Sequence, residues 1–96
     1  MRAGLPEPQL NVPIVSADGT VLHEPDLQWA TFAVAVEYEG AHHRTGEQLD
    51  RDIARADTIR RIGWDEIRVT AKHMKNGARQ AVTRIRNALQ ARGWSP

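Results

Sequence analysis

The sequence predicts an α/β fold in which a mixed four-stranded sheet is flanked by helices. The apolar run at residues 32–39, polar only at its end, is typical of a central strand buried on both faces. Residues 47–62 and 78–91 carry apolar side chains at three- and four-residue steps, as amphipathic helices do. A helix between the third and fourth strands allows those strands to run parallel, while the first three form an antiparallel meander.

The first two strands are predicted from alternation and a turn. Apolar residues alternate along residues 10–14, Ser16 to Gly19 form a turn, and residues 20–23 resume the extended pattern, which together predict a hairpin. Pro13 favours an edge position because proline cannot donate to a strand neighbour. A second turn near residues 27–30 leads into the central strand.

The second half alternates helix and strand. Gly63 ends the first helix, residues 64–70 predict the fourth strand, and Asn76-Gly77 separates a short turn at residues 71–75 from the last helix. The first eight residues, with Gly4, Pro6 and Pro8, predict an irregular lead-in.

The length and composition bound the class of protein. A chain of 96 residues suits one domain, spanning residues 1–96, with a single compact core. The absence of cysteine excludes disulfides and thiolate metal sites, and a cytoplasmic location is expected. No apolar run is long enough for a signal peptide or a membrane span, so no membrane partner is expected.

The charge is distributed unevenly along the chain. The net charge is +1, but residues 1–50 carry −6 and residues 51–96 carry +7. Acidic residues beside basic helices suit a metal site next to a phosphate-binding surface. The alternative is that the basic helices are simply solvated.

Three carboxylates are expected in one small region. Asp26 ends the second strand, and Glu37 and Glu39 end the third on the same face. A bend near residue 30 brings Asp26 opposite Glu37. Such close like charges repel unless one carboxylate is protonated or a cation lies among them, and a hard divalent ion such as Mg²⁺ or Mn²⁺ would stabilise the group.

Several short motifs occur along the chain in the order found in a known protein superfamily. The set resembles the restriction-endonuclease-like superfamily, which is named for its PD-(D/E)XK motif. Within it, the chain is most similar to the very-short-patch-repair-endonuclease-like domains of unknown function, often the C-terminal part of bacterial proteins related to AbiEi-type antitoxins. The resemblance covers residues 10–90 and rests on Pro25-Asp26, Glu37-Tyr38-Glu39-Gly40, His42-His43, Arg51-Asp52, Gly63-Trp64 and Ile67-Arg68-Val69-Thr70.

The resemblance implies a metal-dependent phosphodiesterase that acts on DNA, with Mg²⁺ or Mn²⁺ as cofactor. Asp26 and Glu37 match the two metal-binding acids. Glu39 stands where the superfamily has its lysine, and a carboxylate cannot replace an ammonium group. His42 and His43 follow closely, and either could act as general base to a metal-bound water, with His43 slightly favoured.

Family members usually have a helix before the first strand, and this chain has at most its last turn. An apolar face of the sheet would then be exposed, so self-association is expected.

The remaining polar residues are assigned more ordinary roles. We expect DNA backbone contacts from four basic residues: Arg51, Arg55, Lys72 and Lys75. Asp52 is expected to form a salt bridge within its helix. His23, Glu24 and His73 are expected at the surface, and the three tryptophans in the core or at its boundary.

Two functional hypotheses remain open. In the first, the chain is a metal-dependent DNA endonuclease in which Asp26 and Glu37 bind the metal. In the second, it is a degenerate nuclease fold kept as a DNA- or protein-binding module related to antitoxins. The missing lysine favours the second, and a fold alone does not fix a function.

Overall fold

The computed structural model describes residues 4–39 and 46–96. The sheets contain six strands: β1 (Gln9–Leu10), β2 (Ile14–Val15), β3 (Val21–His23), β4 (Leu27–Trp29), β5 (Val34–Glu39) and β6 (Asp65–Thr70). The helices are α1 (Gly46–Arg61) and α2 (Lys75–Ala91), and a 3₁₀ turn at Ala30–Phe32 joins β4 to β5.

The main sheet is mixed and four-stranded, in the order β1-β4-β5-β6. The β1–β4 and β4–β5 pairs are antiparallel, and β5 and β6 are parallel. Helix α1 forms the crossover between the two parallel strands, so the predicted α/β architecture with one parallel pair is confirmed. The central position of the apolar run is also confirmed, because β5 is hydrogen-bonded on both sides.

The predicted hairpin exists but does not belong to this sheet. Strands β2 and β3 pair with each other in a separate two-stranded sheet. The prediction that they are two strands of the main meander is therefore wrong. The hairpin is closed as expected, with the Ser16 amide donating to the Thr20 carbonyl at 2.9 Å and Gly19 at a positive φ of 86°.

The segment expected as a turn at residues 27–30 is instead strand β4. Leu27 and Trp29 face one core, while the buried Gln28 points to the other side, where its amide donates to the Val12 carbonyl. The burial of this polar side chain is possible because a carbonyl distant in sequence accepts its hydrogen bond, which a local pattern cannot show. The chain reverses direction later, at the 3₁₀ turn Ala30–Phe32. Ala33, which ends this turn, adopts a left-handed conformation with φ 55°.

Two apolar layers cover the faces of the sheet. Helix α2 packs on the first face, where a core includes Trp29, Val34, Val69 and Leu89. Helix α1 and the hairpin pack on the second face through a smaller group: Ile14, Ala35 and Ile59. Even-numbered residues of β5 therefore face α2, and odd-numbered residues face α1.

The ends of the chain close the larger core. The buried Leu5 packs into it, and the Trp29 indole donates to the Pro6 carbonyl at 2.8 Å. No helix occurs in residues 4–8, and residues 1–3 lie outside the described part of the chain. Trp64 and Trp94 pack beside the cores, as expected for boundary residues.

Helix α2 begins with an interruption. Asn76, Gly77 and Ala78 all have positive φ, so the regular helix starts after them. Asn76-Gly77 was expected to separate a turn from the last helix, and it does. Within residues 4–39 and 46–96, neither helix is long and apolar enough to cross a membrane.

Candidate functional site

A small polar cleft lies at the carboxyl ends of the parallel strands β5 and β6. Its volume is about 60 Å³, which suits water molecules or an ion but is too small for a nucleotide. In α/β sheets, ligands bind outside the carboxyl ends of strands. The residues that line the cleft come from β5, α1 and β6: Glu37, Tyr38, Glu39, Asp52, Arg55 and Arg68.

The β5 carboxylates reach the cleft because of strand periodicity. Glu37 and Glu39 lie two residues apart, so both side chains point towards α1. The expectation that they share a face agrees with this arrangement. Tyr38 points to the other face and is half exposed.

Asp26 lies just beyond the antiparallel pairing of β4 with β5. The last pair is Leu27 with Val36, so the next position sets Asp26 opposite Glu37, as the hairpin geometry predicted. One carboxylate oxygen of Asp26 accepts a hydrogen bond from the Tyr38 amide at 2.8 Å, which holds this exposed side chain over the end of β5.

His23 contacts Glu37 directly. Its Nε2 is hydrogen-bonded to Glu37 Oε1, and only 12% of the His23 side chain is exposed. The expectation that His23 is a surface residue is therefore wrong, because the β2–β3 hairpin folds back over the α1 face of the sheet. Sequence reasoning missed this residue since its partner is fourteen positions away on another strand.

Burial raises the pKa of the Glu37 carboxyl. The charge of His23 opposes this shift, while repulsion from Asp26 adds to it. Glu37 therefore holds its negative charge at a cost in folding free energy, and additional positive charge nearby would stabilise the ionised form.

Arg68 joins three acidic side chains on the α1 face. It lies next to Glu37 in the parallel register, and its guanidinium is 2.9 Å from Asp52, 3.2 Å from Glu66 and 3.4 Å from Glu39. Although partial burial lowers the pKa of Arg68, the hydrogen bond and charge of Asp52 raise it overall. Arg68 therefore links β5, β6 and α1 as a permanent cation.

Arg55 is directed into the same network. Its guanidinium contacts Asp52 at 2.7 Å, three residues earlier in α1, and Glu66 at 3.4 Å. The salt bridge expected within the helix for Asp52 is thus present, but Asp52 also bonds Arg68 on a different element. Arg55 lies partly buried among carboxylates, which does not match the open position expected of a DNA backbone contact.

Charge in the cleft network is negative overall. Four carboxylates, on Glu37, Glu39, Asp52 and Glu66, face two guanidinium groups, which leaves −2 before Asp26 and His23 are counted. Two buried atoms, Arg55 Nε and Glu66 Oε2, have no hydrogen-bond partner among the described residues. Such a network is held by several elements but is not fully satisfied.

The other predicted residues lie apart from the cleft or outside the described chain. His42 and His43 fall within residues 40–45, which the structure does not describe. Arg51, Lys72 and Lys75 are exposed. His73 is half-buried and accepts the Thr70 amide hydrogen on Nδ1 at 3.0 Å, so it is fixed in place and not a freely solvated surface residue.

Among the described residues, no group of three or more histidine, aspartate or glutamate side chains is arranged to hold a metal ion. The carboxylates therefore offer at most a pair of ligands at any one point, and most of their oxygens already face arginine or histidine.

No protein-family model matches the chain, and no curated protein or solved structure shows significant similarity to it. The functional proposal therefore depends on the residues and geometry of the cleft.

Proposed function

We propose that the chain is a divalent-metal-dependent DNA endonuclease of the restriction-endonuclease-like type. The observation that supports this most strongly is the apposition of Asp26 and Glu37 at the carboxyl end of β5, beside a cleft lined by further charged residues. Negative carboxylates that repel each other at a strand end suit a hard cation.

The donor set fits Mg²⁺ or Mn²⁺ as a pair of ligands. Mg²⁺ is usually held by one or two carboxylates, with waters and substrate phosphate completing its shell, so a three-residue cage is not required. Asp26 and Glu37 are the residues that would hold the ion. A bound Mg²⁺ would supply Lewis-acid charge to the phosphate.

The protein side chains supply position and charge around the phosphate. His23 orients Glu37 by its hydrogen bond, and the Tyr38 amide orients Asp26. Hydrolysis adds water oxygen to phosphorus, breaks the bond to one ester oxygen and requires a base for the water proton. His43 or His42 is the proposed base, as an imidazole titrates near neutral pH.

Arg68 lies beside the position of the absent lysine. Its guanidinium lies 3.4 Å from Glu39, which stands in the lysine position. A fixed guanidinium beside the cleft could stabilise negative charge that develops on the phosphate. Because the cleft is small, the phosphodiester would bind at its mouth and not inside it.

A plasmid-nicking assay tests the proposal. Supercoiled DNA incubated with the protein and Mg²⁺ or Mn²⁺ should be converted to the open-circular form, and chelation should stop the reaction. Asp26→Asn and Glu37→Gln should abolish nicking, while His42→Ala and His43→Ala identify the base through a loss of roughly a hundredfold or more. Asp50→Asn, at an exposed position on α1, is the matched control.

A second candidate is a catalytically degenerate module that binds DNA or protein, as in antitoxin-related chains. The observation that favours it is that Glu39 replaces the lysine while Arg55 and Arg68 are already occupied by carboxylates. Glu39→Lys distinguishes the two. If neither the wild type nor Glu39→Lys nicks DNA, while the wild type still retards DNA in a gel at low salt, the degenerate module is the better account.

A further inference from the structure

The C-terminal part of the chain is rich in positive charge. Residues 71–96 contain six lysine and arginine residues and no acid. Four exposed cations lie within residues 72–84: Lys72, Lys75, Arg79 and Arg84. Among the described residues none of the four forms an ion pair, in contrast to Arg55 and Arg68 at the cleft.

Part of this surface forms a shallow groove on the outer side of α2. Its volume is about 400 Å³, and the residues that line it are His73, Arg79, Gln80, Thr83 and Arg84. All five are polar, and no carboxylate is among them. Asp65 and Arg84 line a second hollow together.

Several groove residues are held in fixed positions. The His73 ring is anchored by the Thr70 amide, and the Thr83 hydroxyl donates to the Arg79 carbonyl at 3.0 Å. Arg79 and Arg84 are five residues apart, which separates them by about 7.5 Å along the helix axis. Five residues also rotate the helix by about 140°, so the two arginines reach the groove from different directions, and both line it.

The groove and the carboxylate cleft lie on opposite sides of the sheet. Helix α2 buries Ala81, Ile85 and Leu89 on one face, so its outer side points away from α1 and the cleft. The shortest dimension of the molecule is 20 Å. A straight nucleic acid that occupies the groove therefore leaves the cleft open.

We propose that the α2 groove is a second nucleic-acid-binding surface, which contacts the phosphodiester backbone independently of the carboxylate cleft. The guanidinium fork matches phosphate oxygens, and Gln80 and Thr83 add uncharged hydrogen-bonding groups. Lys72 and Lys75, which precede the regular part of α2, are further exposed cations of the same segment. Binding of this kind releases counterions, depends steeply on salt and does not require metal.

The test is fluorescence anisotropy of a labelled DNA duplex, titrated with protein in EDTA over a series of salt concentrations. Replacing both groove arginines (Arg79→Ala with Arg84→Ala) should weaken binding by roughly tenfold or more at low salt and reduce the slope of log K against log salt by about 2. The conservative pair Arg79→Lys with Arg84→Lys should keep most of the affinity, which separates loss of charge from loss of structure.

The matched control removes the same charge from α1. Arg60→Ala with Arg61→Ala changes two exposed arginines on the other layer of the molecule and should leave the salt slope unchanged. Equal losses in the two double variants would overturn the proposal, since general electrostatics would then explain the binding.

Two further arms test the location and the type of partner. The cleft variant Asp26→Asn with Glu37→Gln should bind the duplex at least as tightly as the wild type, and its failure to bind would place the nucleic acid at the cleft and overturn the proposal. Poly-glutamate at equal charge should compete poorly. If poly-glutamate displaces the labelled duplex as well as DNA of equal charge does, the groove is a site for an acidic protein. Since cleavage is not measured, these outcomes are independent of the nuclease proposal.

Discussion

Glu37 is a residue on which burial, a histidine and a second carboxylate act together. Burial raises its pKa, His23 opposes the shift and Asp26 adds to it. Arg55 also lowers the pKa from α1. A raised carboxyl pKa means that the folded state favours the protonated form, so Glu37 reduces stability at pH values where it is ionised. Functional sites often carry such costs.

The pH dependence of Glu37→Gln follows from this shift. At a pH well below the ordinary value of 4.5, Glu37 is protonated in both states, and the variant should melt at nearly the wild-type temperature. As the pH rises through the folded pKa, the wild type loses stability that the neutral glutamine keeps. At pH 8 the variant should therefore melt at the higher temperature, as measured by circular dichroism.

Asp50→Asn is the control for this comparison, because Asp50 is exposed on α1. The difference in melting temperature between Asp50→Asn and the wild type should change much less between pH 3.5 and pH 8. If Glu37→Gln is less stable than the wild type at pH 8, the His23 ion pair outweighs burial and repulsion, and our interpretation of Glu37 is wrong.

At the level of secondary-structure elements, Arg68 connects β5, β6 and α1. Removing it leaves Glu39, Asp52 and Glu66 facing one another without their shared cation. Breaking a buried ion pair costs several kcal/mol, and the Arg68 side chain is one-third exposed. We expect Arg68→Ala to reduce the free energy of unfolding by about 2 kcal/mol, measured by urea denaturation.

An exposed ion pair on α1 provides the comparison. Arg60 contacts Asp57 at 3.2 Å, and the Arg60 side chain is 76% exposed. Arg60→Ala should change the free energy of unfolding by less than about 0.5 kcal/mol. Similar effects of the two substitutions would show that the Arg68 network does not hold the three elements together.

The elements that the sequence predicted well are those with long, local patterns. Strands β5 and β6 and helix α1 follow from the apolar run and from helical periodicity, and their observed bounds differ by one or two residues. Strand β4 was missed because three residues are too short for a clear alternation. Its middle residue, Gln28, is polar and therefore does not look like a buried strand residue. In the structure it is buried, and its amide donates to the distant Val12 carbonyl.

The candidate site was predictable only where its geometry depends on residues that are close in sequence. The apposition of Asp26 and Glu37 follows from a hairpin, which is a local structure. The positions of His23 and Arg68 depend on long-range packing. A weak signal existed for Arg68, because Glu66 and Arg68 alternate with apolar residues in β6, with the same period as Glu37 and Glu39 in β5.

Across the whole molecule, the charge asymmetry of the sequence becomes a spatial separation. The negative cleft lies between β5 and α1, and the exposed cations Arg79 and Arg84 lie on the outer side of α2. The acidic half of the chain supplies Glu37 and Glu39 to the cleft, and Asp26 to a hollow on the α2 side. Asp52 and Glu66 come from the basic half. The net charge of a sequence segment therefore does not by itself show which surface of the folded protein is acidic or basic.

We propose that Asp26 and Glu37 together bind a divalent cation. Crystals grown with Mn²⁺ test it most directly, because the ion scatters anomalously and its position can be found without assumptions about the site. We predict an anomalous difference peak between the two carboxylates, which is lost in Asp26→Asn and Glu37→Gln. A peak at a site that excludes both residues, or no peak in the wild type at millimolar Mn²⁺, would contradict the account.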